Sequence, residues 1–125
     1  MKTNGPEIHA KGVCDFKYLS ETMGGRKKSI REVMDAFVEQ VPLHLKSINE
    51  AIIKEDYPGI KSFAHLLRSS VSIMGISSVV PVLQEMENLG TKATDIEKIK
   101  KLYQKLNTIC KEALEEIEKE KLNYA

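Results

Sequence analysis

A histidine, two cationic side chains and two hydroxyl groups recur at helical spacing near the middle of the chain. His65 is preceded by Lys61 and followed by Arg68, Ser69 and Ser72. Residues three and four apart are neighbours on a helix surface, so a helix through this segment would gather these groups around the imidazole. Cations and hydroxyl donors hydrogen-bond a phosphoryl dianion, and a neutral imidazole is a competent nucleophile toward phosphorus. The cluster therefore predicts phosphoryl chemistry at His65.

The element that must carry this cluster is a helix over about residues 57–74. Its apolar residues share one face, and at about 100° per residue His65 projects almost opposite to that face, toward solvent. Leu66 and Ile73 lie on the adjoining outer flank and offer apolar area that a partner protein could cover. The residues predicted to face the core are Ile60, Phe63, Ala64, Leu67, Val71 and Met74.

Two helices are predicted before this one. A short helix over about residues 15–23 should end at the glycine pair 24–25, because glycine adopts left-handed backbone conformations without steric cost. A long apolar stripe from Ile30 to Ile52 predicts a second helix, and Pro42 inside it should cause a kink. Asp56 is predicted to cap the helix that carries His65.

Two further helices are predicted after it. Gly75 should end the His65 helix, and Ser77 or Ser78 is predicted to cap the fourth helix, which has Val79, Leu83, Met86 and Gly90 on its inner face. The segment 94–97, Thr-Asp-Ile-Glu, matches a capping box and should open the last helix.

Short connections between successive amphipathic helices favour antiparallel neighbours. We therefore predict an all-α fold, an antiparallel up-down four-helix bundle with an additional short N-terminal helix. Residues 1–12 are predicted to form a flexible leader, residues 13–120 the helical bundle, and residues 121–125 a frayed tail.

Composition excludes several classes of function. The 125 residues include 19 Lys plus Arg and 18 Asp plus Glu, a balance that argues against nucleic-acid binding. No apolar run is long enough for a membrane span, and the N-terminus lacks the apolar stretch of a secretory signal. Cys14 and Cys110 lie outside any metal-ligand spacing, so we expect reduced thiols in a cytoplasmic protein and no metal site. No glycine-rich phosphate loop is present, which argues against a nucleotide-dependent kinase.

A family resemblance rests on the segment Ala64-His65-Leu66-Leu67-Arg68-Ser69-Ser70, which is followed by Met74-Gly75-Ile76. This pattern resembles the signature of histidine-containing phosphotransfer (HPt) domains, which reads Ala-His-x-Leu-Lys, two small residues, and then an apolar residue, Gly and a small or apolar residue. The resemblance extends over about residues 15–90, and the last helix fits in architecture alone.

The resemblance implies a role for each matching residue. His65 corresponds to the histidine that receives a phosphoryl group from an aspartyl phosphate and passes it to another aspartate. Arg68 takes a position usually held by Lys, whose charge offsets that of the phosphoryl group, although a planar guanidinium is not equivalent to an ammonium at such a site. Ser69 takes a small-residue position that leaves room for the phosphate, and Gly75 corresponds to the glycine that ends this helix.

On the neighbouring helix, HPt domains often carry a Gln or Glu that hydrogen-bonds the imidazole. Glu87 has the expected offset from His65, and Gln84, one turn earlier, is the alternative. Lys61 and Ser72 remain candidates for supporting contacts to the phosphoryl group. All of these side chains could also be ordinary solvated residues of helix surfaces.

The implied function is that of a phosphoryl-group carrier rather than an enzyme. Its partners would be response-regulator receiver domains and a hybrid sensor histidine kinase. This chain would hold no cofactor, since Mg²⁺ is expected on the receiver, and the resemblance favours a monomer. Two alternatives stay open: an HPt-like module that docks on a receiver or kinase without being phosphorylated, and a purely structural helical bundle. The segment from His44 echoes the pattern, but its spacing is one residue short and His44 projects near the core face, while His9 lies in the predicted leader; we expect no function for either.

Overall fold

The computed structural model describes residues 12–124, and this part of the chain is helical without any strand. The predicted all-α fold class is confirmed. The leader predicted for residues 1–12 lies, apart from Gly12, outside the described residues. The elements in chain order are α1 (Phe16–Thr22), α2 (Lys27–Ile53), α3 (Tyr57–Ile73), a 3₁₀ segment (Ser77–Val79), α4 (Val80–Lys92), α5 (Ile96–Glu120) and a second 3₁₀ segment (Lys121–Tyr124).

The four longer helices pack around one shared core. Helix α2 contacts α3 and α5, and α4 contacts α3 and α5. Burial of these apolar stripes is the main stabilising term, at roughly 25 cal/mol for each Å² of apolar surface removed from water. The side chains fully shielded from solvent include Met34, Ile48, Ile60, Leu67, Leu83, Met86, Ile99 and Leu106.

Several predicted helix ends are confirmed. The Asp56 carboxylate accepts a hydrogen bond from the Gly59 amide at 3.1 Å and caps α3. Gly75 follows α3 with φ at +72°, a conformation that side-chain-bearing residues rarely adopt. A Cβ atom there would also lie 2.6 Å from the Cβ of Asp15, so this position requires glycine on two counts.

Helix α2 runs unbroken through the exposed Pro42.

Both predicted hydroxyl caps are wrong. Ser77 and Ser78 lie in the 3₁₀ segment, and the N-cap of α4 is Val79, which makes no side-chain capping bond. Pro81 removes the amide three residues after Ser78, and the Ser78 side chain makes no capping bond to the Val80 amide either.

The predicted capping box at Thr94 does not form, because α5 begins one residue later than expected. Asp95 is the N-cap and accepts from the Lys98 amide at 3.2 Å. The Glu97 carboxylate pairs instead with Lys100 at 3.2 Å.

The segment before α1 is fastened to α5 by one carboxylate. The Glu116 carboxylate accepts hydrogen bonds from the amides of Val13, at 2.7 Å, and Cys14, at 2.9 Å. The next amide, that of Asp15, donates to the Met74 carbonyl at the end of α3, at 3.2 Å. These contacts hold α1 beside the end of the helix that carries His65.

The end of the chain is fastened to α2. The Lys121 ammonium lies 2.8 Å from the Asp35 carboxylate, and the Arg31 guanidinium donates to the Tyr124 carbonyl at 3.3 Å. A frayed tail is predicted for residues 121–125, whereas the structure packs residues 121–124 against α2. The sequence pattern misses this contact because the paired charges are far apart in the chain.

We expect Glu116→Ala to lower the free energy of unfolding by about 1–3 kcal/mol, because two partly buried amides lose their acceptor. Urea unfolding followed by circular dichroism measures the loss. Glu116→Gln keeps one acceptor oxygen and should lose less. Glu115→Ala, at an exposed neighbouring position, should change the free energy by less than about 0.5 kcal/mol. Equal effects at positions 115 and 116 would contradict this role.

The Asp35–Lys121 pair should make stability depend on pH in the acid range. The hydrogen bond from Lys121 lowers the pKa of Asp35 below its ordinary value. The stabilisation is therefore present above that ordinary value and is lost as the pH falls through the folded-state pKa. We expect the urea midpoint of the wild type to exceed that of Asp35→Asn at neutral pH, and the two to converge by about pH 2. A difference that is constant with pH would refute this assignment.

Candidate functional site

His65 lies on the outward face of α3. Its side chain is 63% exposed, whereas Ala64 and Leu67 on either side of it are fully buried. Because its buried neighbours fix the rotation of α3 about its axis, the imidazole is held in a defined direction in the solvent. The outward placement predicted from helical periodicity agrees with the structure.

A carboxylate on the neighbouring helix holds one nitrogen of the imidazole. The Oε1 atom of Glu87, on α4, lies 3.1 Å from Nδ1 of His65, and the Glu87 side chain is only 15% exposed. An ionised carboxylate accepts hydrogen bonds and donates none, so this contact favours the tautomer with the proton on Nδ1. The lone pair of the neutral ring is then on Nε2. Gln84 is exposed on α4, and its side chain makes no hydrogen bond to any of residues 12–124.

The Arg68 guanidinium lies against both members of this pair. Its Nε atom is 3.2 Å from Oε2 of Glu87, and its terminal nitrogen is 3.4 Å from Nδ1 of His65. Since Nδ1 donates to Glu87, it has no lone pair for the guanidinium, and the second contact is proximity rather than a hydrogen bond. Oε2 is buried and has no well-aligned donor, so the charge of Arg68 is what compensates it.

The remaining polar residues predicted for the site lie along the same helix. Lys61 and Ser69 are exposed, and neither side chain makes a hydrogen bond or ion pair within the described part of the chain. The Ser72 hydroxyl donates to the Arg68 carbonyl at 2.8 Å, so its proton is used inside α3. Lys61 and Ser69 therefore have polar groups available to a ligand near His65. The Ser72 hydroxyl is available only as a hydrogen-bond acceptor.

Two apolar side chains predicted for the outer flank of α3 are exposed. Leu66 and Ile73 are 51% and 42% exposed. Tyr18 of α1, which the sequence pattern does not single out, is 48% exposed. It lines a groove of about 270 Å³ between α1 and the end of α3, together with Ser72 and Val80. The only sequence signal for Tyr18 was its place outside the apolar face of α1.

Other reactive groups in the described range are poorly placed for catalysis. Cys14 and Cys110 are buried, and burial raises the pKa of Cys110 to about 12 and that of Cys14 well above its usual range. Both thiols are therefore protonated and weak nucleophiles near neutral pH. His44 is half-buried on α2, and His9 lies outside the described residues.

Within residues 12–124, no group of His, Cys, Asp and Glu side chains is arranged to bind a metal ion. In the same range, no helix has the length and apolar character needed to cross a membrane.

Comparison with known proteins identifies the family. The family model described as the Hpt domain matches residues 32–120. Comparison with curated proteins gives no match. Among solved structures, the crystal structure of histidine-containing phosphotransfer protein B (HptB) from Pseudomonas aeruginosa PAO1 matches with a TM-score of 0.83. The two sequences are 16% identical, and the match covers 92% of this chain and 99% of that chain, which shows a shared fold.

The family match includes His65, Arg68 and Glu87 and spans well over half of the 125 residues. The resemblance noted in the sequence is thereby confirmed, and it supports histidine phosphotransfer in a phosphorelay. The chain belongs to the Hpt domain family, whose members are phosphoryl carriers rather than enzymes.

Proposed function

We propose that this chain accepts a phosphoryl group on Nε2 of His65 from the aspartyl phosphate of a receiver domain and passes it to the aspartate of another receiver. The observation that carries the proposal is the contact between Nδ1 of His65 and Glu87 at 3.1 Å. This contact favours the proton on Nδ1, the nitrogen that faces the protein. It leaves the lone pair on Nε2 of a side chain that is 63% exposed.

The proposed transfer needs no proton movement at His65. The Nε2 lone pair attacks phosphorus in line, the bond between phosphorus and the aspartyl oxygen breaks, and the aspartate leaves as a carboxylate. The ring keeps its Nδ1 proton and gains positive charge as the new bond forms. Glu87 stabilises that charge through the same hydrogen bond. Onward transfer is the reverse sequence with a second receiver.

Charge compensation for the phosphoryl group is assigned to Arg68 and Lys61. Arg68 is anchored by Glu87, with its terminal nitrogen facing the ring, and Lys61 is exposed one turn before His65. Ser69 keeps the surface one turn after His65 small, so that a receiver can approach. Ser72 has a weaker supporting role, because its hydroxyl proton is used within α3.

The partner supplies the rest of the chemistry. We propose that the receiver brings Mg²⁺ and its own aspartate, and that it covers Leu66 and Ile73 beside the imidazole. This chain would need neither a nucleotide nor a resident cofactor. It would act as a cytoplasmic monomer with an up-down antiparallel arrangement of α2 to α5, between a hybrid sensor kinase and a response regulator.

We expect His65→Gln to abolish phosphoryl transfer, because glutamine offers no nucleophilic nitrogen. The test mixes the purified chain with receiver domains that have been phosphorylated in the presence of Mg²⁺ and follows acid-labile phosphate on this chain. His44→Gln is the matched control and should transfer at the wild-type rate. Tight receiver binding without transfer to the wild type would favour the docking module instead. If the wild type neither binds receivers nor accepts a phosphoryl group, the purely structural helical bundle is favoured.

We expect Glu87→Ala to slow transfer about 10- to 100-fold, since a hydrogen bond to a charged group contributes about 1.5–3 kcal/mol. Glu87→Gln keeps an oxygen acceptor without the charge and should fall between the wild type and the alanine variant. Gln84→Ala should leave the rate unchanged, because its side chain does not contact the imidazole. Single-turnover transfer from one phosphorylated receiver measures all four proteins. A larger loss at position 84 than at position 87 would contradict the assignment.

A further inference from the structure

Helix α4 packs tightly against α3 at a glycine. Gly90 is buried, and a Cβ atom there would lie 3.1 Å from the Tyr57 carbonyl oxygen and 3.2 Å from both the Cβ and the amide nitrogen of Lys61. Two of these three contacts are to backbone atoms, which cannot move aside as the end of a long side chain can. The two helices therefore lie closer together than a side chain at position 90 permits without displacement.

Backbone conformation does not require glycine at this position. In the described residues the glycines with positive φ are Gly24, Gly25 and Gly75, and Gly90 is not among them. Within a helix, glycine is less favourable than alanine by about 1 kcal/mol. Space between the helices is thus the physical reason for glycine at position 90.

This close approach lies one helical turn from the reactive imidazole. Lys61 precedes His65 by one turn on α3, and Glu87 precedes Gly90 by about one turn on α4. Oε1 of Glu87 lies 3.1 Å from Nδ1 of His65, near the long end of the range for N–H···O hydrogen bonds, and Oε2 of Glu87 forms an ion pair with Nε of Arg68 at 3.2 Å. An outward shift of α4 by a few tenths of an ångström would weaken both contacts.

We propose that Gly90 is a positioning residue for phosphotransfer: the missing side chain sets the spacing of α3 and α4 at which Glu87 holds the Nδ1 proton of His65. The consequence for transfer rests on the function proposed above. The geometric part does not, because it concerns the tautomer of a resting imidazole.

Nitrogen-15 NMR of the full chain, at a pH where His65 is neutral, tests the geometric part. In the wild type we expect the Nδ1–H tautomer to predominate at His65. In Gly90→Ala the spectrum should shift toward the Nε2–H form. Transfer from a phosphorylated receiver should also slow, because Nε2 then carries a proton instead of the attacking lone pair. Asn88→Ala, at an exposed position of α4, is the matched control and should leave the tautomer unchanged. In a Glu87→Ala background, Gly90→Ala should have no further effect on the tautomer.

A folded Gly90→Ala variant that keeps the wild-type tautomer would overturn the proposal. Glu87→Asp tests whether the distance from α4 to the imidazole is limiting, and it leaves Gly90 in place. This variant remains informative if Gly90→Ala does not fold. It shortens the side chain by one methylene and should also lose the Nδ1–H preference, whereas retention of that preference would overturn the proposal. The tautomer is measured without a phosphoryl donor, so failure of phosphotransfer and failure of this proposal are distinguishable.

Discussion

The Glu87 carboxylate is the interaction on which the site depends. It lies between an imidazole and a guanidinium of α3 while being mostly shielded from water itself. A shielded carboxylate without partners is strongly unfavourable, so Glu87 needs His65 and Arg68 as much as they need it. The cluster therefore links three features: the tautomer of His65 that the contact favours, the direction of the Arg68 side chain, and the contact between α3 and α4 at this level.

The rest of the fold holds this cluster in place. Helix α3 cannot rotate, because Ala64 and Leu67 are locked in the core on either side of His65. Helix α4 cannot move away without weakening the core that Leu83 and Met86 form. At its far end, α3 is fixed by Gly75 and by the hydrogen bond from Asp15 to Met74. A reactive side chain on a rigid helix suits the proposed carrier, since the nucleophile must meet the aspartates of different partners in one geometry.

Sequence reasoning reached the features that depend on local periodicity. The apolar stripes predict the helices. Within α3, the angle about the helix axis between His65 and the apolar face that includes Ile60 and Ala64 is enough to place the imidazole in solvent. Local periodicity does not decide whether Glu87 or Gln84 contacts the imidazole, because that contact depends on the separation and offset of two helices. At Gly90 that separation leaves too little room for a side chain.

The failures of sequence reasoning have the same origin. The Glu116 contact with Val13 and Cys14 joins residues 102 and 103 positions apart, and no periodic pattern encodes it. The pairing of Lys121 with Asp35 similarly converts an expected loose tail into a packed turn. The capping errors arise from shifts of one or two residues in the N-caps, to Val79 and Asp95, which propensity does not resolve.

The central claim is that Nε2 of His65 is the atom that carries the phosphoryl group. The most direct measurement is phosphorus–nitrogen NMR of the ¹⁵N-labelled chain after phosphorylation by a receiver domain, which identifies the bonded nitrogen from its coupling to phosphorus. The account predicts a single phosphorus–nitrogen bond, at Nε2 of His65, with the proton retained on Nδ1. A phosphoryl group on Nδ1 of His65, or on a different histidine, would contradict it.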